Sequence, residues 1–220
     1  MDEKLKKAYY IILGILILIF FTKDVDMNDK FYKDIKLIDN PDDYLVLINK
    51  NNQLKSNYIP NDLESISLKY SNSDKYLRKE AKDNFEKLSE NASKLGYKII
   101  AVSAYRDYNY QNELFNYYVQ EKGLDYALAC SAKPGHSEHQ SGLAVDVEGS
   151  NNDYDNFEDT KEYTWMKDNA HKYGFILRYP KGKENITGFK FEPWHYRYVG
   201  KEVATYLYQN KLTLEEYLEK

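Results

Sequence analysis

A chain of 220 residues has room for one core domain and a short additional segment. The formal net charge is −4 and the sequence has no basic patch, which argues against a nucleic-acid partner. The single cysteine, Cys130, excludes an internal disulfide, so the cellular compartment has to be inferred from other features.

The amino terminus carries a targeting signal. Lys4, Lys6 and Lys7 precede an apolar run over residues 8–21, which as a helix would span roughly 21 Å, less than the roughly 30 Å of a hydrocarbon core. This length suits a signal peptide as well as a short anchor. No Ala-x-Ala-like cleavage site follows, so we predict that residues 1–22 form an uncleaved signal-anchor. This membrane helix would place the rest of the chain outside the cell. A cleaved signal peptide is the alternative.

A polar, charged segment follows the apolar run. Residues 23–40 are predicted to form a stem, and one domain is predicted over residues 41–220. The first element of that domain is a strand over the apolar residues 44–49, which ends in an asparagine-rich turn at residues 49–52.

The next segment has helical periodicity. Between residues 74 and 95, apolar residues recur three and four positions apart, and Gly96 provides the stop. These apolar residues are Leu77, Ala81, Phe85, Leu88 and Ala92. Residues 97–103 then predict a strand, and residues 109–121 predict a second helix that ends near Gly123.

A third strand is predicted over residues 143–147. In a strand, side chains alternate between two faces, so Leu143, Val145 and Val147 are expected in the core and Asp146 on the opposite face. Ser141-Gly142 has the composition of a turn. His139, which precedes this turn, can therefore fold back over Asp146.

A further strand is predicted over Phe189, Phe191 and residues 194–198. Pro193 indicates an edge position or a bulge in it. Because residues three apart on a regular strand face opposite sides, a bend at Pro193-Trp194 is required to bring Glu192 and His195 into one cavity.

These two segments together offer the donors of a catalytic metal site. Such a site needs three nitrogen or oxygen ligands, an open position for water, and a base beside that water. His139, Asp146 and His195 provide the ligand types, and Glu192 provides a spare carboxylate. The reaction class indicated is metal-assisted hydrolysis. A structural zinc site would normally have four ligands, often cysteines, and this chain has a single cysteine.

The other candidate ligands are weaker. His136 is close enough in sequence to compete with His139, but the preceding Pro134-Gly135 suggests a loop residue near the mouth of the cleft. His171 lies in a predicted helix that ends at Gly174 and is expected on the surface. Cys130 is expected to be a small packed residue.

The motif pair Ser137-x-His139-x-x-Gly142-x-Ala144-x-Asp146 and Glu192-x-x-His195 resembles the zinc signature of the VanY-type D-alanyl-D-alanine carboxypeptidases. These belong to a wider group that includes lysostaphin-type peptidases and hedgehog domains. The resemblance covers roughly residues 44–218, with further matching segments at residues 47–50, 58–63, 103–111, 174–180 and 213–218. One mild departure, at residues 130–133, affects the expected cleft wall and leaves the motif residues unchanged.

The resemblance implies a fold and residue roles. The fold implied is α+β, a small antiparallel sheet carrying one zinc ion, with helices packed against it. His139, Asp146 and His195 would be the zinc ligands and Glu192 the general base. Arg106 would bind the substrate carbonyl or terminal carboxylate. Further substrate contacts are expected from Ser137, Gln111 and Tyr179.

The function implied is a zinc carboxypeptidase that removes the carboxy-terminal D-alanine from peptidoglycan stem peptides, and the amino-terminal segment adds the expectation that it is membrane-anchored and extracellular. The cut can fall between two D-alanines of a pentapeptide or between the diamino acid and D-alanine of a tetrapeptide, and the motifs do not separate these activities. The alternative is a non-catalytic zinc module that binds wall peptide or a protein partner. The presence of both Glu192 and Arg106 argues against this alternative.

Overall fold

The computed structural model describes residues 31–154 and 156–219. The predicted anchor, residues 1–22, and residues 23–30 of the predicted stem lie outside these ranges. Within them, no helix combines the length and the apolar character needed to cross a bilayer.

The described residues form small sheets with helices packed around them, the mixed α/β architecture that the resemblance implies. The strands are β1 (Lys36–Leu37), β2 (Asn52–Gln53), β3 (Leu63–Ser65), β4 (Tyr76–Arg78), β5 (Ile100–Ser103), β6 (Ala144–Glu148), β7 (Phe175–Leu177) and β8 (His195–Tyr198). The α-helices are α1 (Lys79–Lys94), α2 (Tyr108–Lys122), α3 (Leu124–Cys130), α4 (Lys161–Asn169), α5 (Glu184–Thr187), α6 (Lys201–Asn210) and α7 (Leu214–Leu218). Single 3₁₀ turns occupy Glu138–Ser141, Phe157–Asp159 and Ala170–Tyr173.

The largest sheet has four strands in the order β5-β6-β8-β7, and every neighbouring pair is antiparallel. In the β6–β8 pair, Asp146 lies opposite His195. In the β5–β6 pair, Asp146 lies opposite Ser103, beside a shift in register. The sheet therefore brings three distant parts of the chain together at Asp146.

The core confirms the alternation predicted for β6. Leu143, Val145 and Val147 are completely buried. They belong to one core cluster with the apolar face of α1, whose residues Ala81, Phe85, Leu88 and Ala92 are also completely buried. The periodic apolar residues of the sequence thus form the contact between helix and sheet.

Helix α1 begins five residues later than the start predicted at residue 74. Tyr76–Arg78 pair with β3 as an extended strand instead, and the amide of Arg78 donates to the carbonyl of Gly142. Leu77 is buried as a strand residue, so apolar spacing alone did not mark the first turn of the helix. The second helix, α2, and its end at Gly123 agree with the prediction.

Residues 44–49 do not form the predicted strand. Among the described residues, their one bridge is the turn that pairs Asn49 with Asn52. The carbonyls of Tyr44 and Val46 accept hydrogen bonds of 3.0 and 2.9 Å from Nη2 of Arg197. The buried guanidinium of Arg197 thus provides the hydrogen bonds that these two carbonyls would otherwise receive from a neighbouring strand.

The strand predicted from Phe189 to residue 198 is shorter than expected, because only His195–Tyr198 of it is a strand. Residues 193–194 form a turn in which the amide of His195 donates to the carbonyl of Glu192. The bend required at Pro193-Trp194 is therefore present.

Part of the predicted stem packs against the domain. Strand β1 pairs in parallel with β2, and Phe31 is buried. The amide of Tyr32 donates to Oδ1 of Asn51 at 2.9 Å. Residues before Pro41, where composition placed the start of the domain, are therefore part of the packed structure.

Candidate metal centre

Three side chains converge at one point of the four-stranded sheet. His139, Asp146 and His195 each offer one ligand atom, and these atoms lie within 4.8 Å of one another. Nε2 of His139 lies 3.3 Å from Oδ2 of Asp146, and Nδ1 of His195 lies 2.9 Å from Oδ1 of Asp146. Two imidazoles and one carboxylate are the donors that a catalytic zinc site uses.

The ring of His139 is oriented by the backbone. Its Nδ1 lies 2.6 Å from the carbonyl oxygen of Ala104, to which it donates as an N–H group. The opposite nitrogen, Nε2, is buried and has no hydrogen-bond partner among the described residues. A buried nitrogen without a partner, directed at a carboxylate and a second imidazole, fits a metal ligand.

A left-handed glycine leads the chain from His139 into β6. Gly142 has φ +67°, and a Cβ at this position would lie 2.8 Å from Cδ2 of Leu63. The left-handed turn favours glycine here, and a larger residue would also have to displace the end of the Leu63 side chain. Gly142 allows the 3₁₀ turn that bears His139 to lie over the strand that bears Asp146.

His195 is turned the other way from His139. Its Nδ1 faces Asp146 and lies 3.8 Å from Oε2 of Glu192, whereas its Nε2 lies 3.5 Å from Oε2 of Glu138. The side chain of Glu138 is fully buried. A carboxylate behind the ring favours an N–H group at Nε2 and leaves Nδ1 free to bind a metal.

Sequence reasoning missed Glu138 as a functional residue. Its Oε1 accepts hydrogen bonds from Nε of Arg178 at 2.8 Å and Nη1 of Arg197 at 2.7 Å. The guanidinium of Arg178 also forms a two-pronged pair with Glu215, at 2.8 and 2.7 Å. Both arginine side chains are completely buried. The available signal was a carboxylate directly before a ligand histidine.

The charges of this network determine the protonation of Glu138. Burial alone would raise the pKa of Glu138, but Arg178 and Arg197 outweigh burial and hold the pKa well below its ordinary value. Glu138 is therefore an anion behind His195.

The two histidines have opposite pKa shifts. Burial lowers the pKa of His139 to about 4, and the Arg106 cation acts in the same direction. Burial would also lower the pKa of His195, but the hydrogen bond to Asp146 and the Glu138 carboxylate 3.5 Å from Nε2 outweigh it and raise the pKa to about 9. His139 is thus a ready neutral donor, whereas a metal has to displace a proton from His195.

Glu192 lies beside the three donors, as the sequence predicts for the base. It is buried, and burial raises the pKa of Glu192 to about 8, although His195 opposes this shift. A cation held by the three donors would lower this pKa, because positive charge favours the carboxylate form.

The donors open into a cleft of about 490 Å³. Of the predicted substrate contacts, Arg106, Ser137 and Tyr179 line this cleft. Nη1 of Arg106 lies 3.6 Å from Oδ2 of Asp146 and donates to Oγ of Ser103 at 2.8 Å. A guanidinium is therefore positioned beside the metal donors, where it can bind an oxyanion.

Tyr179 and Gln111 differ in their relation to the cleft. The ring of Tyr179 packs against His195, with centroids 4.9 Å apart. Gln111 is buried and does not line the cleft; its Oε1 accepts from Nε of Arg106 at 3.1 Å, and its amide nitrogen donates to the carbonyl of Ala132 at 2.8 Å. Gln111 therefore supports Arg106 from behind, and the direct substrate contact proposed for it stays a prediction.

The other ligand candidates lie away from the three donors. Nδ1 of His136 lies 2.9 Å from the carbonyl of Asn49, and His136 is buried behind the cleft wall, so the predicted position at the mouth is wrong. His171 is also buried, with its ring stacked 3.8 Å from that of Tyr208, so the predicted surface position is wrong. Cys130 is partly buried and lines the cleft.

Comparison with known proteins agrees with this geometry. The VanY family model, described as D-alanyl-D-alanine carboxypeptidase, matches residues 74–201, which is more than half of the chain. The chain belongs to this family. YodJ of Bacillus subtilis (strain 168) is 43% identical over 210 residues, which cover 90% of this chain and 77% of YodJ.

Two related solved structures share the fold. The LD-carboxypeptidase LdcB, whose structure concerns peptidoglycan recognition, matches with a TM-score of 0.79 and 45% identity, over 86% of this chain and 91% of LdcB. The vancomycin-resistance D,D-pentapeptidase VanY, solved as a mutant in complex with Zn(II), matches with a TM-score of 0.70 and 34% identity, over 80% of this chain and 98% of VanY. This VanY-family chain is therefore an enzyme of the carboxypeptidase class.

Proposed function

We propose that this protein is a zinc carboxypeptidase that removes the carboxy-terminal D-alanine from peptidoglycan stem peptides outside the cell. The observation that carries the proposal is the convergence of His139, Asp146 and His195, with Glu192 and Arg106 beside them. The family and the Zn(II) complex of the related VanY support it.

The donor set suits hydrolysis. Two neutral imidazoles and one carboxylate leave about one net positive charge on a bound zinc ion, which polarises the scissile carbonyl and lowers the pKa of a water ligand toward about 7. Arg106 supplies a second positive charge beside the donors, and Glu138 supports His195 from behind.

The residues around the donors have separate roles in the proposed reaction. Glu192 takes a proton from the attacking water and delivers it to the leaving amine of D-alanine. Arg106 binds the terminal carboxylate or the developing oxyanion of the substrate. Tyr179 and Ser137 form the cleft wall that contacts the stem peptide.

Two cleavages are compatible with this site, D,D-cleavage of a pentapeptide and L,D-cleavage of a tetrapeptide. The LD-carboxypeptidase LdcB is 45% identical, against 41% for the D-alanyl-D-alanine carboxypeptidase of Enterococcus faecium and 34% for the D,D-pentapeptidase VanY, and this order favours the tetrapeptide. We therefore propose L,D-cleavage as the main activity.

Mass spectrometry of stem peptides tests the activity. The zinc-loaded full chain is incubated with tetrapeptide and pentapeptide, with metal-free protein as the control. The expected result is a tripeptide from the tetrapeptide, loss of activity on chelation and recovery with zinc. A pentapeptide shortened in preference to the tetrapeptide would reverse the specificity. Binding of both peptides without any product would support the non-catalytic alternative.

The location is a second part of the proposal. The basic residues and apolar run at the amino terminus support a single membrane anchor with the domain on the outer face. Fractionation of cells, followed by protease treatment of intact spheroplasts, is expected to find the uncleaved chain in the membrane and its domain accessible. A secreted soluble form beginning beyond Thr22 would overturn this assignment.

A further inference from the structure

A buried lysine lies behind the cleft, surrounded by aromatic rings. Only 2% of Lys50 is exposed, and its Nζ donates to the carbonyl of Leu128 at 2.6 Å. The same Nζ lies 4.7 Å from the ring centroid of Phe189, 5.3 Å from that of Phe31 and 5.6 Å from that of Tyr32. Aromatic faces attract a cation more strongly when water is excluded, so these contacts hold the ammonium group in place.

The ring of Phe31 contacts one wall of the cleft. A Cβ at Gly188 would lie 3.0 Å from two ring carbons of Phe31, so this ring packs directly on the backbone at Gly188. The next residue, Phe189, lines the cleft. Its ring packs 4.8 Å from Tyr179, which in turn packs 4.9 Å from the ligand-type residue His195.

Tyr32 contacts two other walls of the cleft. Oη of Tyr32 accepts from the amide of Lys133 at 3.1 Å, directly after the cleft-lining Ala132. The ring of Tyr32 also lies edge-on to His136, with centroids 5.1 Å apart, directly before the cleft-lining Ser137. Tyr32 has φ +60°, an uncommon conformation for a non-glycine residue that surrounding contacts must hold.

Three cleft-lining segments of the chain therefore meet at one cluster, which we define as Phe31, Tyr32 and Lys50. We propose that this cluster sets the spacing of the cleft walls, so that the segment leading from the predicted anchor takes part in substrate binding. In this assignment the three residues are positioning residues, since none of them lines the cleft itself. The inference rests on the proposed function, because the ligand in the cleft is taken to be a stem peptide.

The role differs from that of general packing. If the cluster only stabilises the fold, loss of a ring lowers the melting temperature and leaves the affinity of the folded protein for substrate unchanged. If it sets the spacing of the walls, loss of a ring or of the charge weakens substrate binding in protein that remains folded and zinc-loaded. The ring face is the feature that matters, since Nζ of Lys50 lies over both rings and Nζ of Lys133 lies 4.2 Å from the ring centroid of Tyr32.

Variants of the full chain separate these two roles. Tyr32→Leu and Phe31→Leu keep apolar bulk but remove the ring face, Tyr32→Phe restores the face without the hydroxyl, and Lys50→Met removes the charge. Lys181→Met is the matched control, because Nζ of Lys181 lies 4.9 Å from the ring of Phe191 in a similar pair outside the cleft, and the Lys181 side chain is 69% exposed. Zinc content, melting temperature, kcat, KM and the calorimetric dissociation constant of the stem tetrapeptide are measured for each variant.

We expect KM and the dissociation constant to rise on the order of tenfold in Tyr32→Leu, Phe31→Leu and Lys50→Met, with zinc content unchanged and kcat within about twofold. Tyr32→Phe keeps the ring face and loses only the hydrogen bond to Lys133, so it should lose less affinity than Tyr32→Leu, and Lys181→Met should match the wild type. Unchanged peptide affinity in all three cluster variants, or equal losses in Tyr32→Phe and Tyr32→Leu, would overturn the inference. An inactive wild type refutes the proposed function alone, because the peptide dissociation constants still test the cluster. A wild type that does not bind the peptide refutes both.

Discussion

The contact between Glu138 and His195 leads to the sharpest prediction. Glu138→Gln preserves the shape of the side chain and one acceptor oxygen but removes its negative charge. Two buried guanidinium groups, of Arg178 and Arg197, then lose the anion that accepts from both of them at 2.8 and 2.7 Å. Breaking a buried ion pair by removing one partner costs about 3–5 kcal/mol. For a chain of this size, we expect the melting temperature of the metal-free protein to fall by about 6–20 °C.

The same substitution should weaken zinc binding. Nε2 of His195 lies 3.5 Å from Oε2 of Glu138, and loss of the carboxylate makes the imidazole less basic and less firmly oriented. Substitution of such a supporting group typically reduces metal affinity by about 10- to 100-fold. Competition with a chelating dye measures this affinity on folded protein at a temperature well below the melting point.

Glu215→Gln provides the matched control. It removes the other anionic partner of Arg178, which bonds that guanidinium at 2.8 and 2.7 Å, and it has no contact with His195. We expect a similar loss of stability with zinc affinity close to that of the wild type. If Glu138→Gln binds zinc as tightly as Glu215→Gln does, Glu138 serves only the stability of the fold, and the reasoning about His195 is wrong.

Two further predictions concern the base and the pH dependence of stability. Glu192→Gln should keep its zinc and its fold but lose about 10²- to 10⁴-fold in kcat, whereas His195→Ala should lose zinc and activity together. Measurements of kcat and metal content test both expectations. A Glu192→Gln protein without zinc would show that Glu192 is a ligand. The pKa of Glu162 is lowered, since hydrogen bonds from Ser150 and the amide of Lys98 outweigh burial. Its stabilising effect should therefore be complete above its unfolded pKa of about 4.3 and decline as the pH falls through its lower folded pKa. Denaturant titrations at pH 7 and pH 3 should show Glu162→Gln destabilised at pH 7 and closer to the wild type at pH 3, and an equal difference at both pH values would contradict this.

Local patterns in the sequence account for much of the fold and for the metal donors. The apolar spacing of α1 and the alternation in β6 are properties of neighbouring residues, and each side chain they placed in the core is buried. The pair His139 and Asp146 lies within one turn-and-strand segment, and Glu192 and His195 lie within one bend. Such spacings are set by backbone geometry over a few residues, which is why the sequence alone determined them.

Tertiary structure decided the interactions between residues far apart in the chain. Glu138 meets arginines that lie 40 and 59 positions away, and Arg197 replaces a strand partner for Val46 across 151 positions. Tyr32, in a polar segment that composition marks as a stem, bonds to the amide of Lys133 across 101 positions. These contacts depend on how the sheet, α3 and the amino-terminal segment pack together. No local periodicity encodes that packing, because it arises when burial brings charges and aromatic rings from separate segments into one water-excluded space.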